Sequence, residues 1–308
     1  MTYPDDTRVG RRSFLGKSLQ VGTAAGLAVA ANSARAQGQD LVSIDSYVDQ
    51  MSCQPGDELG LYVSTNADRF SVDVIREGLR SEAVWSQQDL TGNHYPIPKR
   101  ASMDGCQWPV AVKIKVGQDW RSGCYRVVLK GEKNGEPTQK GETFFIVRAA
   151  RPGQDAKILM QISTNTYQAY NLWGGSSLYS GPKFPRVSFD RPFIINPVAE
   201  DTTSPPYNPN ASGLDRWDLP FIRWAESAGY KIEYAANLDL EFHPEILSHY
   251  RLVLSVGHDE YWSAPMRDHL EDFITNGGNA AFFSGNTCCW QVRTEDNGRT
   301  LVSYKFSY

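Results

Sequence analysis

The fold is decided by one stretch near the carboxyl end, Arg251-Leu252-Val253-Leu254-Ser255-Val256-Gly257-His258-Asp259-Glu260-Tyr261-Trp262. Its first six residues form a short, mostly apolar run, which is typical of a strand buried on both faces of a parallel sheet. Ser263 follows at the position of an N-cap and predicts a helix over 263–275. We therefore expect a buried strand, a carboxyl end that carries one histidine and two carboxylates, and then a helix.

The same alternation of strand and helix extends along the second half of the chain. Further strands are predicted over 157–162, 229–234 and 280–283, and a helix over 218–228. Apolar strands that alternate with helices indicate a parallel α/β sheet. We assign residues 154–308 to this α/β domain.

The first half of the chain has a different pattern. Short strands with alternating apolar and polar residues are separated by turns, and no helical periodicity is present. This spacing is typical of an antiparallel, immunoglobulin-like β-sandwich. We assign residues 41–148 to the sandwich and residues 149–153 to a linker. The clearest predicted strands are 58–64, 70–76, 110–116 and 125–129.

The amino terminus has the order of a bacterial export signal. Arg11-Arg12-Ser13-Phe14-Leu15 precedes a mildly apolar stretch over 21–31, and Ala34-Arg35-Ala36 has the small-x-small form of a cleavage site. Paired arginines before such a softened apolar stretch favour the twin-arginine route. We predict a signal over 1–36, the twin-arginine translocation machinery as a partner, and a periplasmic or extracellular location. The apolar stretch is too short for a stable membrane span, which needs about 20 residues.

Composition narrows the class of function. The net charge of −4 and the pI near 5.8 leave no basic surface for nucleic acid. The aromatic content of 12%, with 8 tryptophans, favours a pocket for a small molecule. Five cysteines without metal-ligand spacing predict neither a zinc site nor a disulfide-rich fold, and pairing among the first three of them stays open.

Three polar segments follow predicted strands, at 163–171, 257–262 and 284–287. The carboxyl ends of parallel strands form the ligand-binding edge of such sheets, so we expect the three segments to converge on one crevice. Residues 171–214 are rich in Gly, Pro, Ser and Asn. An irregular stretch of that length inside a compact domain is usually functional.

His258 and Glu260 are the strongest chemical candidates in these segments. Two residues apart on an extended segment they share one face, which suits one to bind a metal and the other to move a proton. A structural explanation is equally open for the triplet His258-Asp259-Glu260, in which one of its two carboxylates caps the following helix and His258 packs under Trp262. Cys288 and the cysteine after it lack a nucleophile elbow, which favours structural cysteines.

Several motifs, in this order, resemble the family of the N,N-dimethylformamidase large (beta) subunit. The resemblance covers about 156–304 and implies a class I glutamine-amidotransferase-like, flavodoxin-like α/β domain that lacks the amidotransferase cysteine. The motifs are Thr164-Asn165-Thr166-Tyr167-Gln168-Ala169-Tyr170-Asn171, Trp173-Gly174-Gly175, Ser177-Leu178-Tyr179, Val187-Ser188-Phe189-Asp190-Arg191-Pro192, Gly257-His258-Asp259-Glu260-Tyr261-Trp262 and Ser284-Gly285-Asn286-Thr287.

The resemblance also implies a metal. Known members of the family hydrolyse an amide with one ferric iron held by two tyrosinates and one glutamate. Carried over to this chain, the ligands are Tyr170, Tyr179 and Glu260, with Tyr167 as an alternative to Tyr170. Ferric iron suits hard anionic oxygen donors.

We therefore expect an iron-dependent hydrolase of a carbon–nitrogen amide bond, with a small-molecule amide as substrate. In the resemblance His258 moves the proton and Asn286 contacts the pocket. The alternative is an exported, non-catalytic protein that binds a carbohydrate or another small molecule. A homo-oligomer is possible. Since the chain ends at Tyr308, soon after the last predicted strand, we expect it to be a piece of a longer α/β domain.

Overall fold

The structure is a computed structural model that describes residues 42–193 and 213–305, except for the side chains of residues 138 and 139. These residues belong to one compact unit, Val42–Tyr308. The predicted signal over 1–36 lies outside the described residues. In the described ranges no helix is both long and apolar enough to cross a membrane.

Two sheets form the first half of the described chain. One has three strands in the order β1-β3-β6, and the other has five in the order β2-β8-β7-β4-β5. Neighbouring strands are antiparallel, except for the parallel pair of β2 and β8. The elements are β1 (Ile44–Val48), β2 (Ser52–Cys53), β3 (Glu58–Thr65), β4 (Arg69–Glu77), β5 (Glu82–Thr91), a short helix α1 (Ala101–Asp104), β6 (Val110–Lys115), β7 (Gly123–Lys133) and β8 (Glu136–Val147).

Alternating burial explains why these strands form. In β4 the side chains of Phe70, Val72 and Val74 are buried, while the residues between them are partly exposed. Burying one such side chain contributes roughly 1.5–3 kcal/mol relative to leaving it in water. The four strands predicted from this alternation are confirmed. Strand β5 was missed because most of its side chains are exposed, as befits an edge strand.

The second half begins with a parallel sheet in the order β11-β9-β12-β14. A mixed sheet, β10-β16-β15-β13, completes it. The elements are β9 (Ile158–Ile162), α2 (Thr164–Tyr170), β10 (Arg186–Ser188), α3 (Leu219–Ser227), β11 (Glu233–Ala236), α4 (Asn237–Phe242), β12 (Leu252–His258), β13 (Tyr261–Ser263), α5 (Ala264–Thr275), β14 (Asn279–Gly285), β15 (Trp290–Glu295) and β16 (Thr300–Val302).

Most of the predicted α/β elements are present. The hydroxyl of Ser263 accepts the backbone N–H of Met266 at 3.3 Å, which confirms the predicted N-cap of α5. The strand predicted at residue 229 instead begins at Glu233, because the preceding residues end helix α3. The N–H of Tyr230 bonds back to the carbonyl of Ala225 at 3.0 Å, and the glycine before it has a φ of +84°.

The region over 171–214 is less irregular than expected. It contains a short 3₁₀ turn and strand β10, which pairs with β16 near the end of the chain; residues 194–212 lie outside the described part. Sequence periodicity did not indicate β10 because its pairing partner is distant and the strand is short. Assignment to immunoglobulin-like and glutamine-amidotransferase-like folds stays a prediction.

The five cysteines are free thiols, which answers the open question of pairing. Cys53, Cys106 and Cys124 are buried, and burial raises the pKa of each thiol. Burial also raises the pKa of Cys288, for which the sequence favoured a structural role over that of a nucleophile. None of these four therefore has the depressed pKa of an activated thiolate.

Candidate metal and catalytic site

Three segments at the carboxyl ends of strands meet at one place. The hydroxyl of Tyr170, at the end of α2, lies 2.7 Å from Oε2 of Glu260, just beyond β12. Nδ2 of Asn286, just beyond β14, lies 3.2 Å from Nε2 of His258. The expected convergence of the strand ends is thus confirmed by these distances.

The centre of the site is a cluster of oxygen atoms from two phenols and one carboxylate. The hydroxyl of Tyr179 lies 2.5 Å from that of Tyr170, and 2.8 and 2.9 Å from the two carboxylate oxygens of Glu260. We call Tyr170, Tyr179 and Glu260 the oxygen cluster. Glu260 is 3% exposed and Tyr179 is 40% exposed, so the cluster opens to solvent on the tyrosine side.

Glu260 is fixed by its backbone on both sides. Its N–H donates to the hydroxyl oxygen of Thr166 at 2.8 Å, and the N–H of Tyr261 donates to the same atom at 3.2 Å. The carbonyl of Glu260 accepts the N–H of Trp290 at 3.0 Å. The short connection between β12 and β13 is therefore tied both to α2 and to β15.

The two tyrosines are held next to each other by a backbone contact between their neighbours. The N–H of Leu178 donates to the carbonyl of Ala169 at 3.0 Å, and the Leu178 side chain is buried in the core. The two phenol rings stack with centroids 4.3 Å apart at an angle of 28°. Burial raises the pKa of Tyr179, so without a cation its phenol stays protonated at neutral pH.

His258 lies between the oxygen cluster and Asn286. Its Nε2 is 3.5 Å from Oε2 of Glu260. Burial lowers the pKa of His258, although Glu260 acts to raise it, and the imidazole is thus neutral near pH 7. When the Asn286 amide donates to Nε2, that nitrogen carries the lone pair and Nδ1 carries the proton.

Gly257 gives the strand end its shape. It has a φ of +81°, in the left-handed region that favours glycine. A Cβ atom at this position would lie 2.3 Å from Cβ of Trp217. The close approach of Trp217 and the left-handed backbone before His258 both depend on the missing side chain.

Asp259 is separated from its two neighbours in the triplet. Its carboxylate is buried and accepts hydrogen bonds from Gln161 at 2.5 Å, Ser255 at 2.7 Å and Asn237 at 3.2 Å. Burial raises the pKa of Asp259 to about 6, against the effect of these hydrogen bonds. Asp259 thus anchors the strand ends, and the idea that a carboxylate of the triplet caps helix α5 is wrong, because Ser263 caps it.

The sequence did not predict that the ammonium group of Lys305 lies at this site. Nζ of Lys305 lies 3.2 Å from the ring centroid of Tyr179 and 2.9 Å from the hydroxyl of Tyr261. Burial lowers the pKa of Lys305 to about 8, although Glu260 opposes this. Tyr261 stands next to Glu260 in the quoted motif and could have been found there. Lys305 follows the last strand without any pattern, so no signal pointed to it.

The donor set of the cluster fits a small, hard cation such as ferric iron. All three groups offer oxygen, two of them within 3 Å of the third, and each can carry a negative charge. Among the residues that the structure describes, no group of three or more His, Cys, Asp or Glu could hold a metal. The alternative ligand Tyr167 lies elsewhere, since its buried hydroxyl donates to Asp218.

Comparison with known proteins agrees with these motifs. The profile of the family described as N,N-dimethylformamidase beta subunit-like, C-terminal, matches residues 71–308, which also takes in most of the first half. The N,N-dimethylformamidase beta subunit of Alcaligenes sp is 31% identical over 231 residues, or 62% of this chain and 28% of that relative. The beta subunit of the same name from Paracoccus aminophilus is 31% identical over 81 residues, or 25% of this chain and 11% of the relative.

The chain thus spans 28% or less of the length of each of these curated relatives. Among solved structures, the sporulation control protein Spo0M from Bacillus subtilis has a TM-score of 0.26 and 12% identity over 37% of this chain and 52% of that one. This overlap is too slight to assign the fold. The family profile, by contrast, covers most of the sequence. The chain belongs to the N,N-dimethylformamidase beta subunit-like family.

Proposed function

We propose that the chain is an iron-dependent hydrolase of the carbon–nitrogen bond of a small linear amide. The observation that carries the proposal is the oxygen cluster, in which two phenol oxygens and one carboxylate meet beside a neutral imidazole. The names of the two curated relatives favour an amide as substrate. The chain spans only part of the length of these relatives. Their activity is therefore a proposal for this chain.

A cation accounts for the composition of the cluster. Three groups that can each be anionic lie within hydrogen-bond distance of one another, and Glu260 is almost completely buried. The phenol protons satisfy this carboxylate in the absence of a metal, and a bound cation would take their place. Iron held by Tyr170, Tyr179 and Glu260 would polarise the amide carbonyl and lower the pKa of a water molecule.

His258 supplies the proton transfer. Its neutral Nε2 can take a proton from the attacking water and pass it to the departing amine as the C–N bond breaks and the C–O bond forms. The products are a carboxylic acid and an amine, which balances the addition of one water. The Asn286 amide, 3.2 Å from Nε2, holds the ring in place until Nε2 takes the proton.

The surroundings of the oxygen cluster favour a small substrate. Tyr179 is partly exposed, while the ring of Tyr261 is fully buried and packs edge-on against the rings of Tyr170 and Tyr179. Lys305 lies over the rings of Tyr179 and Tyr261. Aromatic rings with a few polar groups suit a compact amide better than a long polymer.

We also propose export of the folded chain by the twin-arginine route, as the sequence over 1–36 predicts. That route carries folded proteins, so the metal can be bound before export. An immunoglobulin-like first half and a glutamine-amidotransferase-like second half are part of the same proposal.

The test uses the intact chain loaded with iron. Amine release is measured with a panel of formamides and acetamides that carry zero, one or two N-methyl groups. The variant His258→Gln should bind iron normally and lose about 10²–10⁴-fold in kcat, the usual contribution of a general acid or base. His269→Gln is the matched control, because His269 is also partly buried but bonds to the carbonyl of Leu240, away from the cluster.

Iron-loaded protein that releases no amine from any of these amides would contradict the proposal. So would a His258→Gln variant with unchanged kcat. Protein that holds no metal and is stabilised by sugars would favour the non-catalytic binding protein instead.

A further inference from the structure

Arg191 is a buried charge that the proposed chemistry does not use. It follows β10 and is 0% exposed. Among the described residues no carboxylate lies within ion-pair distance of its guanidinium. Burial lowers the pKa of Arg191 to about 9, against a small opposing effect of Cys106. The side chain thus remains a cation at neutral pH, in a place where charge is costly.

The hydrogen bonds of its two terminal nitrogens go to backbone carbonyls of one segment. Nη1 donates to the carbonyls of Trp173 at 2.5 Å and Ser176 at 2.9 Å. Nη2 donates to the carbonyls of Asn171 at 3.0 Å and Gln168 at 3.4 Å. The four acceptors span the end of helix α2 and the 3₁₀ turn behind it.

This segment connects the two tyrosines of the oxygen cluster. Tyr170 lies inside it, and Tyr179 follows Ser176 by three residues. The last carbonyls of a helix have no partner within the helix and need donors from elsewhere. A cation at the carboxyl end of a helix also interacts favourably with the helix dipole.

Nε of Arg191 ties the same segment to strand β10. It donates to the carbonyl of Ser188 at 3.2 Å and to Oε1 of Gln168 at 3.3 Å. The Gln168 amide in turn donates to the Ser188 carbonyl at 2.7 Å. Only arginine offers five donors in a planar fork, whereas lysine offers three from one atom.

We propose that Arg191 is a positioning residue, whose guanidinium holds the segment over 168–176 in the shape that brings the hydroxyls of Tyr170 and Tyr179 together. The part of this inference that concerns iron rests on the proposed function. The part that concerns the shape of the segment does not.

The test compares Arg191→Lys with Arg148→Lys in the intact chain. Arg148 is the matched control because it is 9% exposed and pairs with Asp239, in another part of the fold. Iron affinity and the visible absorption band are measured for both variants. Arg191→Lys should bind iron about 10–100-fold more weakly, as for other residues that orient metal ligands, with a shifted band. Arg148→Lys should match the wild type.

A second measurement does not need the metal. Amide hydrogen exchange of metal-free protein should become faster in residues 171–179 of Arg191→Lys and remain unchanged there in Arg148→Lys. If the lysine variant fails to fold, Gln168→Met takes its place, since it removes one acceptor of Arg191 and leaves the guanidinium. That variant should bind iron several-fold more weakly.

The outcomes separate the two proposals. Wild-type protein that binds no iron contradicts the proposed function, and hydrogen exchange then decides the role of Arg191. Wild-type protein that binds iron, with a folded lysine variant of unchanged affinity, band and exchange, overturns the role of Arg191. For Gln168→Met, unchanged iron affinity and exchange overturn it as well.

Discussion

Two buried glutamates in this molecule each meet a tyrosine hydroxyl, but their surroundings differ. Glu233 is 4% exposed and Glu260 is 3% exposed. Glu233 accepts the hydroxyl of Tyr250 at 2.5 Å and the backbone N–H groups of residues 153, 155 and 156 at 2.9, 3.3 and 3.2 Å. Its carboxylate thereby ties the connection before β9 to strand β11.

At Glu260 no backbone N–H of the described residues donates to the carboxylate. Its partners are the hydroxyls of Tyr170 and Tyr179, which also touch each other, and the imidazole of His258. The backbone N–H groups around Glu233 satisfy its carboxylate and cannot become metal ligands. The phenol oxygens around Glu260 can bind a cation once their protons are lost. The contrast teaches that the partners of a buried glutamate, and not its burial, indicate its role.

The largest effect is expected when each glutamate is replaced by glutamine. Glu260→Gln removes the carboxylate from the proposed ligand set and should lower iron affinity more than about 100-fold, a larger loss than for residues that only orient a metal ligand. Glu233→Gln should keep the iron and lose about 1–3 kcal/mol of unfolding free energy, because its new amide group faces backbone donors. Iron content and denaturant unfolding of both variants check this.

Equal iron content in Glu260→Gln and the wild type would remove Glu260 from the metal site. Iron loss in folded Glu233→Gln would show that Glu233, too, is needed for metal binding and has more than a structural role.

The tyrosines give a second, smaller effect. Tyr170→Phe and Tyr179→Phe should each weaken or shift the visible band of iron-loaded protein and lower iron affinity by about 10–100-fold. Tyr250→Phe should leave band and affinity unchanged, since the hydroxyl of Tyr250 donates to Glu233 and not to the oxygen cluster. Absorption spectra at matched iron concentrations measure this. A wild-type band in both site variants would contradict the role of the phenols.

The sequence could predict the part of the site that lies in continuous motifs. His258 and Glu260 lie at the end of the mostly buried strand β12, and Asn286 follows the apolar run of β14; the carboxyl ends of these parallel neighbours must meet. The two tyrosines came from the family resemblance, because no periodicity singles out Tyr179 in its loop. Lys305 could not be predicted, since it follows β16, whose position depends on pairing with the distant β10 and with β15.

The fold, like the site, could be predicted where the sequence has a clear pattern. Strands with one buried face, such as β4, have a periodic pattern, and the N-cap Ser263 marks a helix start. Edge strand β5 has little burial and therefore little pattern. The burial of Arg191 is the clearest failure, because an arginine in sequence predicts a surface residue. Only the folded arrangement of carbonyls around it explains why it is inside.

The smallest expected effect concerns pH. Burial raises the pKa of Tyr250 above its ordinary value of 10.0, helped by Glu233. The unfolded phenol ionises near pH 10 while the folded one stays protonated, so this contribution to stability is complete below pH 10 and is lost as the pH rises further. Wild-type unfolding free energy should therefore fall about 1.4 kcal/mol per pH unit more steeply than that of Tyr250→Phe above pH 10.

Denaturant unfolding between pH 8 and pH 11 measures the two slopes. Tyr250→Phe should be less stable than the wild type at pH 8, by about 1 kcal/mol for the lost hydrogen bond, and the difference should shrink above pH 10. Parallel curves over this range would contradict the raised pKa.

The most direct test of the oxygen cluster is a titration of ferric iron into metal-free, intact chain, followed by visible absorption. We predict that the first equivalent is bound and that a tyrosinate-to-iron charge-transfer band grows in proportion, equally in the wild type and in Glu233→Gln. Protein that stays colourless and retains no iron after removal of the excess would contradict a metal site at Tyr170, Tyr179 and Glu260.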